Sequence, residues 1–226
     1  MNTKSVIIVA GGTGTRMNSD VPKQFLPLCG KPALAYSLEA FSTAFPGIEL
    51  VVALPRLLFP AWELLCTAHS VVITHRLAEG GETRFHSVKN ALALIGDDGL
   101  VAIHDAARPL VTPALIREAF LAAETYGNCI PVAPLRESVR EIRGENSRAV
   151  DRLALRIVQT PQVFGAGTIK KAYLQDYRPE FTDDATVVEA MGETIHVIEG
   201  DPVNFKITHP YDLAAAEALI SIRGPF

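Results

Sequence analysis

Short apolar runs alternate along the chain with stretches in which apolar residues recur at helical spacing. The first apolar run, 5–10 (SVIIVA), is uninterrupted and ends in glycines, which is typical of a strand buried on both faces. Residues 32–45 predict a helix that starts at a proline, where the missing N–H costs nothing. The remaining elements predicted up to residue 134 are strands at 49–55, 71–75, 100–107 and 129–134 and helices at 83–95 and 113–126.

Strands that alternate with helices are expected to form a parallel sheet with helices on both faces. The predicted fold class is therefore α/β, with a mostly parallel sheet flanked by helices. Ligands of such sheets bind beyond the carboxyl ends of the strands. This rule places the glycine loop after the first strand and residues 104–108 (HDAAR), after the fourth strand, at the same edge.

Residues 135–156 break this pattern, because they are densely charged and hold few large apolar side chains. The turn signal at 143–146 (RGEN) separates two short alternating runs and predicts a β-hairpin. Two interpretations of this arm stay open. It is either a solvated surface excursion or a segment that reaches a second subunit, since an isolated hairpin is only marginally stable in water.

The rest of the chain returns to mixed elements. These are helices at 165–175, 183–191 and 210–222, a strand at 193–199, and two further segments at 159–164 (QTPQVF) and 203–208 (VNFKIT). No internal repeat, low-complexity tract or linker interrupts the sequence. We therefore expect a single domain over 1–226 that contains the arm.

Composition and charge narrow the class of partner. The 226-residue chain has a formal net charge of −4 and a pI near 5.9, and its sequence shows no concentrated basic segment, which disfavours binding to nucleic acid. A small anionic substrate in a local cationic pocket remains compatible with this charge. The three cysteines are widely spaced, so we expect buried free thiols rather than a zinc site or a disulfide framework.

The apolar runs are too short for a secretion signal or a membrane span. The N-terminal run has about five residues, whereas a signal core needs roughly 7–15 and a membrane helix about 18. We expect a soluble cytoplasmic protein that binds neither membranes nor nucleic acid.

Residues 9–25 (VAGGTGTRMNSDVPKQF) place a glycine loop and two cations directly after the first strand. The dinucleotide fingerprint G-x-G-x-x-G fails here because Met17 stands at its third glycine, and the chain has no G-x-x-x-x-G-K-[ST] loop. Glycine loops alone are also common as plain structural turns. With Arg16 and Lys23 close by, backbone N–H groups and two positive charges favour a clamp for a polyphosphate.

Ordered motifs across the chain carry a specific resemblance. AGGTGTRM…PKQF resembles the signature of nucleotidyltransferases that join a nucleoside triphosphate to a phosphorylated or sugar partner. The later motifs are GGETRFHSV (80–88), HDAARP (104–109), VDR…QTPQVF (150–164), TDDATVVE (182–189) and NFKIT (204–208). Together, over Val6 to Leu219, they resemble the 2-C-methyl-D-erythritol 4-phosphate cytidylyltransferase family of the non-mevalonate isoprenoid pathway.

The resemblance implies a fold and a reaction. The fold is a single nucleotidyltransferase domain with a Rossmann-like sheet of the nucleotide-diphospho-sugar transferase type and a hairpin arm, here 135–156, that builds a homodimer. The reaction is attack by a methylerythritol phosphate oxygen on the α-phosphorus of CTP, with pyrophosphate as the leaving group. Because the nucleophile is already an anion, positioning and electrostatic stabilisation would carry the catalysis without a general base.

The resemblance also implies roles for individual residues. The residues that match the family's catalytic cations are Arg16, Lys23 and Lys206. The residues that match its cytosine and ribose pocket are Ala10, Gly11, Gly12, Gly81, Glu82 and Ser87. The residues that match its acceptor site are Asp105, Arg108, Arg152, Thr160 and Thr182. Asp105 would also lie near Mg²⁺, held mostly by CTP phosphates and water, and Arg152 would reach the neighbouring subunit's site.

Two positions depart from the commoner family pattern. The chain has Ala-Gly-Gly at 10–12 where many relatives have Ala-Ala-Gly, and backbone contacts would survive that change. It has Glu82 where many relatives have Asp. If only the main chain reads the base there, little changes, but if the carboxylate matters, the CTP assignment weakens.

Several ionisable residues near these motifs are interpreted as structural. Arg84, at the start of a predicted helix, is interpreted as a solvated side chain and left outside the core set of site residues. His104 is interpreted as structural because the chemistry needs no base. Asp183 and Asp184 are taken as acids that complement the helix dipole rather than as a metal pair.

Two rival functions share these features. Ribitol-5-phosphate cytidylyltransferases carry nearly all the same motifs, because both acceptors are phosphorylated polyols, and the nucleotide motifs cannot separate the two. A nucleotide-binding regulatory protein would keep the fold without turnover. The residues that argue against this second class are Arg16, Lys23, Asp105 and Lys206, since a pure binder need not keep catalytic cations.

Overall fold

The computed structural model describes residues 3–12 and 21–223, which form alternating strands and helices. The strands are β1 (Lys4–Val9), β2 (Pro27–Leu28), β3 (Lys31–Pro32), β4 (Glu49–Leu54), β5 (Arg76–Glu79), β6 (Leu100–Asp105), β7 (Asn128–Pro134), β8 (Val139–Arg143), β9 (Asn146–Val150), β10 (Arg156–Val158), β11 (Gln162–Gly165) and β12 (Val197–Glu199). The α-helices are α1 (Ala33–Ala44), α2 (Phe59–Ala68), α3 (Arg84–Leu92), α4 (Pro113–Tyr126), α5 (Ala166–Ala172), α6 (Asp184–Glu189) and α7 (Pro210–Arg223). Short 3-10 turns lie at Lys23–Phe25, Arg56–Leu58 and Arg152–Ala154.

The main sheet has the order β7–β11–β6–β1–β4–β5, and β10 and β12 also pair with β7. β1 pairs in parallel with both β6 and β4, and β5 pairs in parallel with β4. β11 is antiparallel to β6 and to β7, so β7 runs in the same direction as β6. The predicted mostly parallel α/β sheet is confirmed, and the carboxyl ends of β1, β4 and β6 meet at one edge.

Helices cover both faces of this sheet, because successive side chains of a strand point to opposite sides. In β1, Val6 and Ile8 pack with α1 and α4, whereas Ile7 packs with α3, α5 and α6. All three side chains are fully buried, which explains why this strand is an uninterrupted apolar run. A third, smaller cluster joins α7 to the loop after β6 and contains Leu28, Tyr36, Leu110, Ile207 and Ala216.

Local capping signals set the ends of α4. The side chain of Thr112 accepts a hydrogen bond from Leu115 N (3.2 Å), and Pro113 occupies the first turn. The helix ends where Gly127 adopts a left-handed conformation with φ 85°. Because these signals are local, the predicted bounds 113–126 agree with the structure.

The strand predicted at 71–75 is wrong, because the strand that pairs with β4 is β5, which starts after that segment. Residues 71–75 have no regular structure. Val71 and Ile73 pack against the core cluster that contains Trp62, while Val72 is exposed. The apolar pattern of 71–75 therefore reflects packing against the core and not a place in the sheet.

Several other elements are shorter than predicted. The segments predicted too long are 83–95, 165–175, 183–191 and 193–199. Residues 203–208 form neither a helix nor a strand. Their backbone bonds to a distant loop instead, since Ile207 N donates to Ala107 O (2.8 Å). This contact brings the NFKIT motif to the carboxyl edge of the sheet.

The β-hairpin predicted within 135–156 is confirmed. β8 and β9 form a separate two-stranded antiparallel sheet that runs from Val139↔Val150 to Arg143↔Asn146. Ile142 in β8 is 71% exposed. The arm therefore presents an apolar side chain on its surface.

The three cysteines are free, as expected, but only Cys129 is buried. Cys66 is half-buried and Cys29 is exposed, so the expectation of three buried thiols is wrong for these two. Burial raises the pKa of Cys129 to about 11.

The helices that pack on the sheet are short. α4 and α7 each have 14 residues. Within residues 3–12 and 21–223, none of the helices combines the length and the apolar character needed to cross a membrane.

Candidate active site

The carboxyl ends of β1 and β6 open into a cleft of about 370 Å³. β1 runs into the glycine loop, β6 ends at Asp105, and the loop before α3 and the Lys23–Phe25 turn form further walls. The residues predicted for the site that line this one cleft are Ala10, Gly11, Gly12, Lys23, Gly81, Glu82, Ser87, Asp105 and Lys206. Arg16 lies outside the described residues.

Close backbone approach shapes the part of the cleft next to α3. Gly81 N donates to Ser87 Oγ (3.0 Å), and Ser87 Oγ donates to Thr83 O (3.0 Å). A β-carbon on Gly81 would lie 2.4 Å from Cβ of His86, so a larger residue would displace α3. A β-carbon on Gly11 would lie 3.2 Å from Ser87 Oγ. The glycine loop and the start of α3 are therefore in near contact.

The turn after the glycine loop brings two polar side chains to the cleft. Lys23 Nζ donates to Ile207 O (3.4 Å), and a β-carbon on Gly12 would lie 3.6 Å from Cε of this lysine. Buried Gln24 donates from Nε2 to Ala10 O (2.7 Å), which ties the turn to the end of β1. Gln24 is absent from the residues predicted above, although its place beside Lys23 in the PKQF motif was an available signal.

Asp105 lies between two cations at the centre of the cleft. Its Oδ1 accepts a hydrogen bond from Arg84 Nε (3.1 Å), and its Oδ2 accepts one from Lys206 Nζ (2.7 Å). Burial alone would raise the pKa of Asp105, but Arg84 and Lys206 outweigh burial and hold that pKa well below its usual value. Asp105 is therefore ionised at neutral pH, with both oxygens engaged by cations.

The interpretation of Arg84 as a solvated side chain is wrong. Its side chain is only 26% exposed, and its Nη1 and Nη2 donate to Oδ1 and Oδ2 of Asp184 at 2.9 and 2.7 Å. Burial would lower the pKa of Arg84, but the charges of Asp184 and Asp105 raise it above its ordinary value. Arg84 therefore carries a fixed positive charge that bridges two carboxylates.

Asp183 and Asp184 have different roles at the start of α6. Asp183 forms a capping box with Thr186: its side chain accepts from Thr186 N (2.9 Å), and its backbone N donates to Thr186 Oγ1 (3.3 Å). This confirms the helix-start interpretation of Asp183. Asp184 is fully buried and paired with Arg84, so the helix dipole alone does not account for it. Among the described residues, His, Cys, Asp and Glu form no group of three or more suited to a metal ion.

His104 has the surroundings of a structural residue. Thr160 Oγ1 accepts from Asp105 N (3.1 Å) and lies 2.9 Å from His104 Nδ1, while His104 Nε2 lies 3.2 Å from Arg108 O. These partners place the ring proton on Nε2, which then donates to the carbonyl. Burial lowers the pKa of His104 to about 4, so the ring is neutral at pH 7. This state agrees with the structural interpretation of the residue.

A second cleft, of about 250 Å³, adjoins the first. The residues predicted for the acceptor site that line it are Asp105, Arg108, Thr160 and Thr182. Arg84, Asp105 and Lys206 line both clefts, and we call these three residues the shared wall. The shared wall is the place where groups bound in the two clefts would meet.

Arg108 and Arg152 lie in different places relative to the second cleft. Arg108 is buried, and its Nη1 and Nη2 donate to Asn204 O (2.7 Å) and Val158 O (3.1 Å). Burial lowers the pKa of Arg108, and its charge is balanced only in part by Asp105. Arg152 is exposed, donates to Arg136 O (2.5 Å) and lines neither cleft of its own chain.

Both clefts combine cations with carboxylates. Among the described residues, the cations that line them are Lys23, Arg84, Arg108 and Lys206, and the carboxylates are Glu82, Asp105 and Asp183, with Asp184 buried behind Arg84. Arg84 and Lys206 form ion pairs with Asp105 and Asp184, whereas Arg108 donates to backbone carbonyls, so the charge of Arg108 favours an anionic ligand. The two clefts together are suited to two anionic groups that meet beside Asp105.

Comparison with known proteins shows to which family the chain belongs. Residues 5–222 match the family model described as 2-C-methyl-D-erythritol 4-phosphate cytidylyltransferase. The chain belongs to this cytidylyltransferase family. A relative of that name from Bacteroides thetaiotaomicron is 49% identical over 217 residues, which cover 96% of this chain and 99% of the relative.

Other relatives support the same cytidylyltransferase family. One from Bacteroides fragilis is 48% identical, again over 96% of this chain and 99% of the relative. The crystal structure of 2-C-methyl-D-erythritol 4-phosphate cytidylyltransferase from Thermus thermophilus has a TM-score of 0.79 and 34% identity, over 97% of this chain and 99% of that one. The resemblance of the motifs and the Rossmann-like fold are thereby confirmed.

Glu82 of this cytidylyltransferase, where the resemblance leads us to expect Asp, is exposed and lines the first cleft. The next residue toward the N-terminus, Gly81, approaches α3 through its backbone. The requirement for glycine at 81 therefore rests on packing and does not depend on the side chain at 82.

We predict that Gly81→Ala destabilises the folded protein, because the new methyl group would overlap His86. Overpacking of this kind costs typically about 1–3 kcal/mol. Gly96→Ala is the matched control, since Gly96 has no other group within 4 Å of its β-carbon position. Urea denaturation would measure the free energy of unfolding of both variants, and equal values would contradict the packing account.

Proposed function

We propose that this chain transfers CMP from CTP to 2-C-methyl-D-erythritol 4-phosphate in the non-mevalonate isoprenoid pathway, giving 4-diphosphocytidyl-2-C-methyl-D-erythritol and pyrophosphate. The observation that supports this reaction most directly is the shared wall of Arg84, Asp105 and Lys206, because the reacting groups of two substrates must meet at one point. Relatives at 48 and 49% identity carry the methylerythritol phosphate name, which favours this acceptor over ribitol 5-phosphate.

The proposed chemistry is a displacement at phosphorus. A phosphate oxygen of the acceptor forms a bond to the α-phosphorus of CTP, and the bond from that phosphorus to the bridging oxygen of the β-phosphate breaks. Pyrophosphate leaves with the electron pair of the broken bond. The attacking oxygen is already anionic, so the neutral, buried His104 is not needed as a base.

Lys23 and Lys206 are the proposed catalytic cations within the described residues, and Arg16 of the glycine loop is the third. Lys23 lies beside the glycine loop, and Lys206 lies on the shared wall next to Asp105. Preorganised cations at these positions would stabilise the charge that develops on the triphosphate during transfer. The presence of Lys23, Asp105 and Lys206 in one cleft argues against a regulatory protein without turnover.

The first cleft is proposed to hold the nucleotide. The residues proposed to contact cytosine and ribose are Ala10, Gly11, Gly12, Gly81, Glu82 and Ser87. Support comes from the near contact between the glycine loop and the start of α3, where Gly81 N donates to Ser87 Oγ (3.0 Å). Glycines at this contact let main-chain groups approach a flat base and the phosphates that follow it.

The second cleft is proposed to hold the acceptor. Its residues in this role are Asp105, Arg108, Thr160 and Thr182. Arg108 supports an anionic occupant, because the Nη groups of this buried cation donate to backbone carbonyls, and its Nε–H has no hydrogen-bond partner among the described residues. A buried cation that donates to no carboxylate favours binding of a phosphate.

Mg²⁺ is the proposed cofactor, and the donor set limits how it would bind. Both oxygens of Asp105 are engaged by Arg84 and Lys206, so this carboxylate has no uncommitted oxygen to offer a metal. This set fits an ion held mainly by CTP phosphates and water, with Asp105 beside it, as Mg²⁺ prefers. Bound there, Mg²⁺ would neutralise part of the triphosphate charge.

The arm at 135–156 is proposed to build a homodimer and to carry Arg152 to the acceptor site of the other subunit. Exposed apolar side chains support a partner at this arm: Ile142 and Leu153 are 71 and 75% exposed. Arg152 lines neither of the two clefts of its own chain, which gives a reason for it to act across the interface. Dimerisation would then be required for catalysis.

The cytoplasm is the proposed location. The three free cysteines support a reducing compartment, because thiols stay reduced there.

We predict that Lys23→Ala lowers kcat by about 10²–10³-fold, as the loss of one charge-stabilising donor does in other enzymes. Pyrophosphate release with CTP, Mg²⁺ and methylerythritol 4-phosphate would measure the change, and circular dichroism would show an intact fold. Lys171→Ala, which removes an exposed lysine of α5, is the matched control and should keep normal turnover. Full activity in Lys23→Ala would remove the central catalytic assignment.

We predict that two inactive variants, Arg152→Ala and Lys23→Ala, restore activity when their subunits are mixed. If each site uses Lys23 of one subunit and Arg152 of the other, a mixed dimer has one intact site. Random exchange of equal amounts would then recover about one quarter of the wild-type sites in a two-fold symmetric dimer. The measurement is pyrophosphate release after co-refolding. No recovery, with mixed dimers present, would show that Arg152 serves its own chain.

A further inference from the structure

Behind the shared wall lie two buried polar residues, Tyr173 and Asp184, that line neither cleft. Asp184 is fully buried, lines neither cleft and accepts both Nη groups of Arg84. Tyr173, also buried, donates from its hydroxyl to Asp184 Oδ1 (2.6 Å). Arg84 in turn donates from Nε to Asp105. A chain of hydrogen bonds therefore runs from Tyr173 through Asp184 and Arg84 to Asp105.

The backbone at Asp184 is held in place as well as its carboxylate. Gln162 Oε1 accepts hydrogen bonds from the backbone N–H groups of Asp184 and Ala185, each at 3.0 Å. Gln162 Nε2 donates to Asp183 Oδ2 (2.9 Å), so the start of α6 is tied to β11. A buried charge is costly unless its partners satisfy it, and here they do. Asp184 is consequently held in one position and can orient the side chain of Arg84.

The planar guanidinium of Arg84 takes its orientation from Asp184. Its two Nη groups are committed to Asp184, so the plane of the guanidinium is set and its Nε–H points at Asp105. Without Asp184, Arg84 would be able to turn its Nη groups toward Asp105 and compete with Lys206, or toward a bound phosphate. Either movement would change the geometry of the shared wall.

We propose that Asp184, steadied by Tyr173, is a positioning residue that acts through Arg84 to hold Asp105 and Lys206 in place where the two substrates meet. The inference rests on the proposed cytidylyltransferase reaction. It assigns Asp184 a role in turnover although the residue touches neither cleft. Asp184 orients the shared wall, whereas the contact between Gly81 and Ser87 in the nucleotide pocket is made without it.

The kinetic test uses Asp184→Asn, which keeps the shape of the side chain and removes its charge. We expect kcat to fall about 10- to 100-fold, in the range that misplacement of reacting groups causes, with CTP affinity by calorimetry changed less than about threefold. Titration of active sites separates this result from a smaller folded fraction. Asn128→Asp is the control, because Asn128 is a buried polar residue at the amino end of β7 and its change should leave kcat per folded site unaltered.

A double-mutant cycle tests whether Asp184 acts through Arg84. Arg84→Met should lower kcat at least as much as Asp184→Asn, and the double variant should be no slower than Arg84→Met alone, because residues that act in one chain are not additive. Effects that multiply in the double variant would overturn the proposal. Tyr173→Phe provides a milder variant, expected to lower kcat by about two- to fivefold with the charge of Asp184 kept.

A spectroscopic measurement tests whether Asp184 positions Arg84, and its result does not depend on the identity of the substrate. In ¹⁵N NMR, the Arg84 Nε–H, assigned by its loss in Arg84→Met, should exchange slowly with water in the wild type and rapidly in Asp184→Asn. If wild-type protein shows no turnover with CTP and methylerythritol 4-phosphate, the proposed function fails while this measurement still decides the network. Slow exchange that persists in a folded Asp184→Asn protein would show that Asp184 does not position Arg84.

Discussion

The ionised carboxylate of Asp105, held between Arg84 and Lys206, is the interaction on which the site depends. A site for two anionic substrates must collect cations, and cations collected in a small volume repel one another. Asp105 and Asp184 offset that repulsion, and burial strengthens the attraction between them and their partners. Lys23 and Arg108, which line the same two clefts, place further positive charge where the phosphates of the substrates are proposed to bind.

The parallel sheet makes this collection possible because it brings distant segments to one edge. Because β1 and β6 pair in parallel, the glycine loop after β1 and Asp105 at the end of β6 lie side by side. Segments without regular structure then complete the site, as when Ile207 N bonds to Ala107 O and brings Lys206 to Asp105. Functional groups therefore come from strand ends, helix starts and the segments between them, while the buried strands determine where those segments start.

The sequence predicts best those features that local signals determine. α4 is predicted within its observed bounds because Thr112, Pro113 and Gly127 mark its ends. The strand at 71–75 is predicted wrongly because pairing with β4, and not local alternation, decides which residues join the sheet. Arg84 is misinterpreted for the same reason, because contacts distant in the sequence decide its environment. Its partners Asp105 and Asp184 lie 21 and 100 positions away along the chain, so local sequence gives no sign that this arginine at a helix start is paired.

The motifs bring most of the proposed site residues together in space, since nine of them line one cleft and five line the adjoining one, with Asp105 and Lys206 in both. Asp184 is missed because it contacts the clefts only through its hydrogen bonds to Arg84. Gln24 lines the first cleft, and its place beside Lys23 in the PKQF motif was a signal that could have found it. Arg152 is different again. A single chain brings it to neither cleft, so its proposed role depends on a second subunit that local sequence cannot place.

The choice of acceptor is the most direct test of the account. Pyrophosphate release with CTP and Mg²⁺ would be measured in parallel with 2-C-methyl-D-erythritol 4-phosphate and with ribitol 5-phosphate. The account predicts release with the methylerythritol substrate and background release with the ribitol one. Release with ribitol 5-phosphate alone, or with neither acceptor, would contradict it.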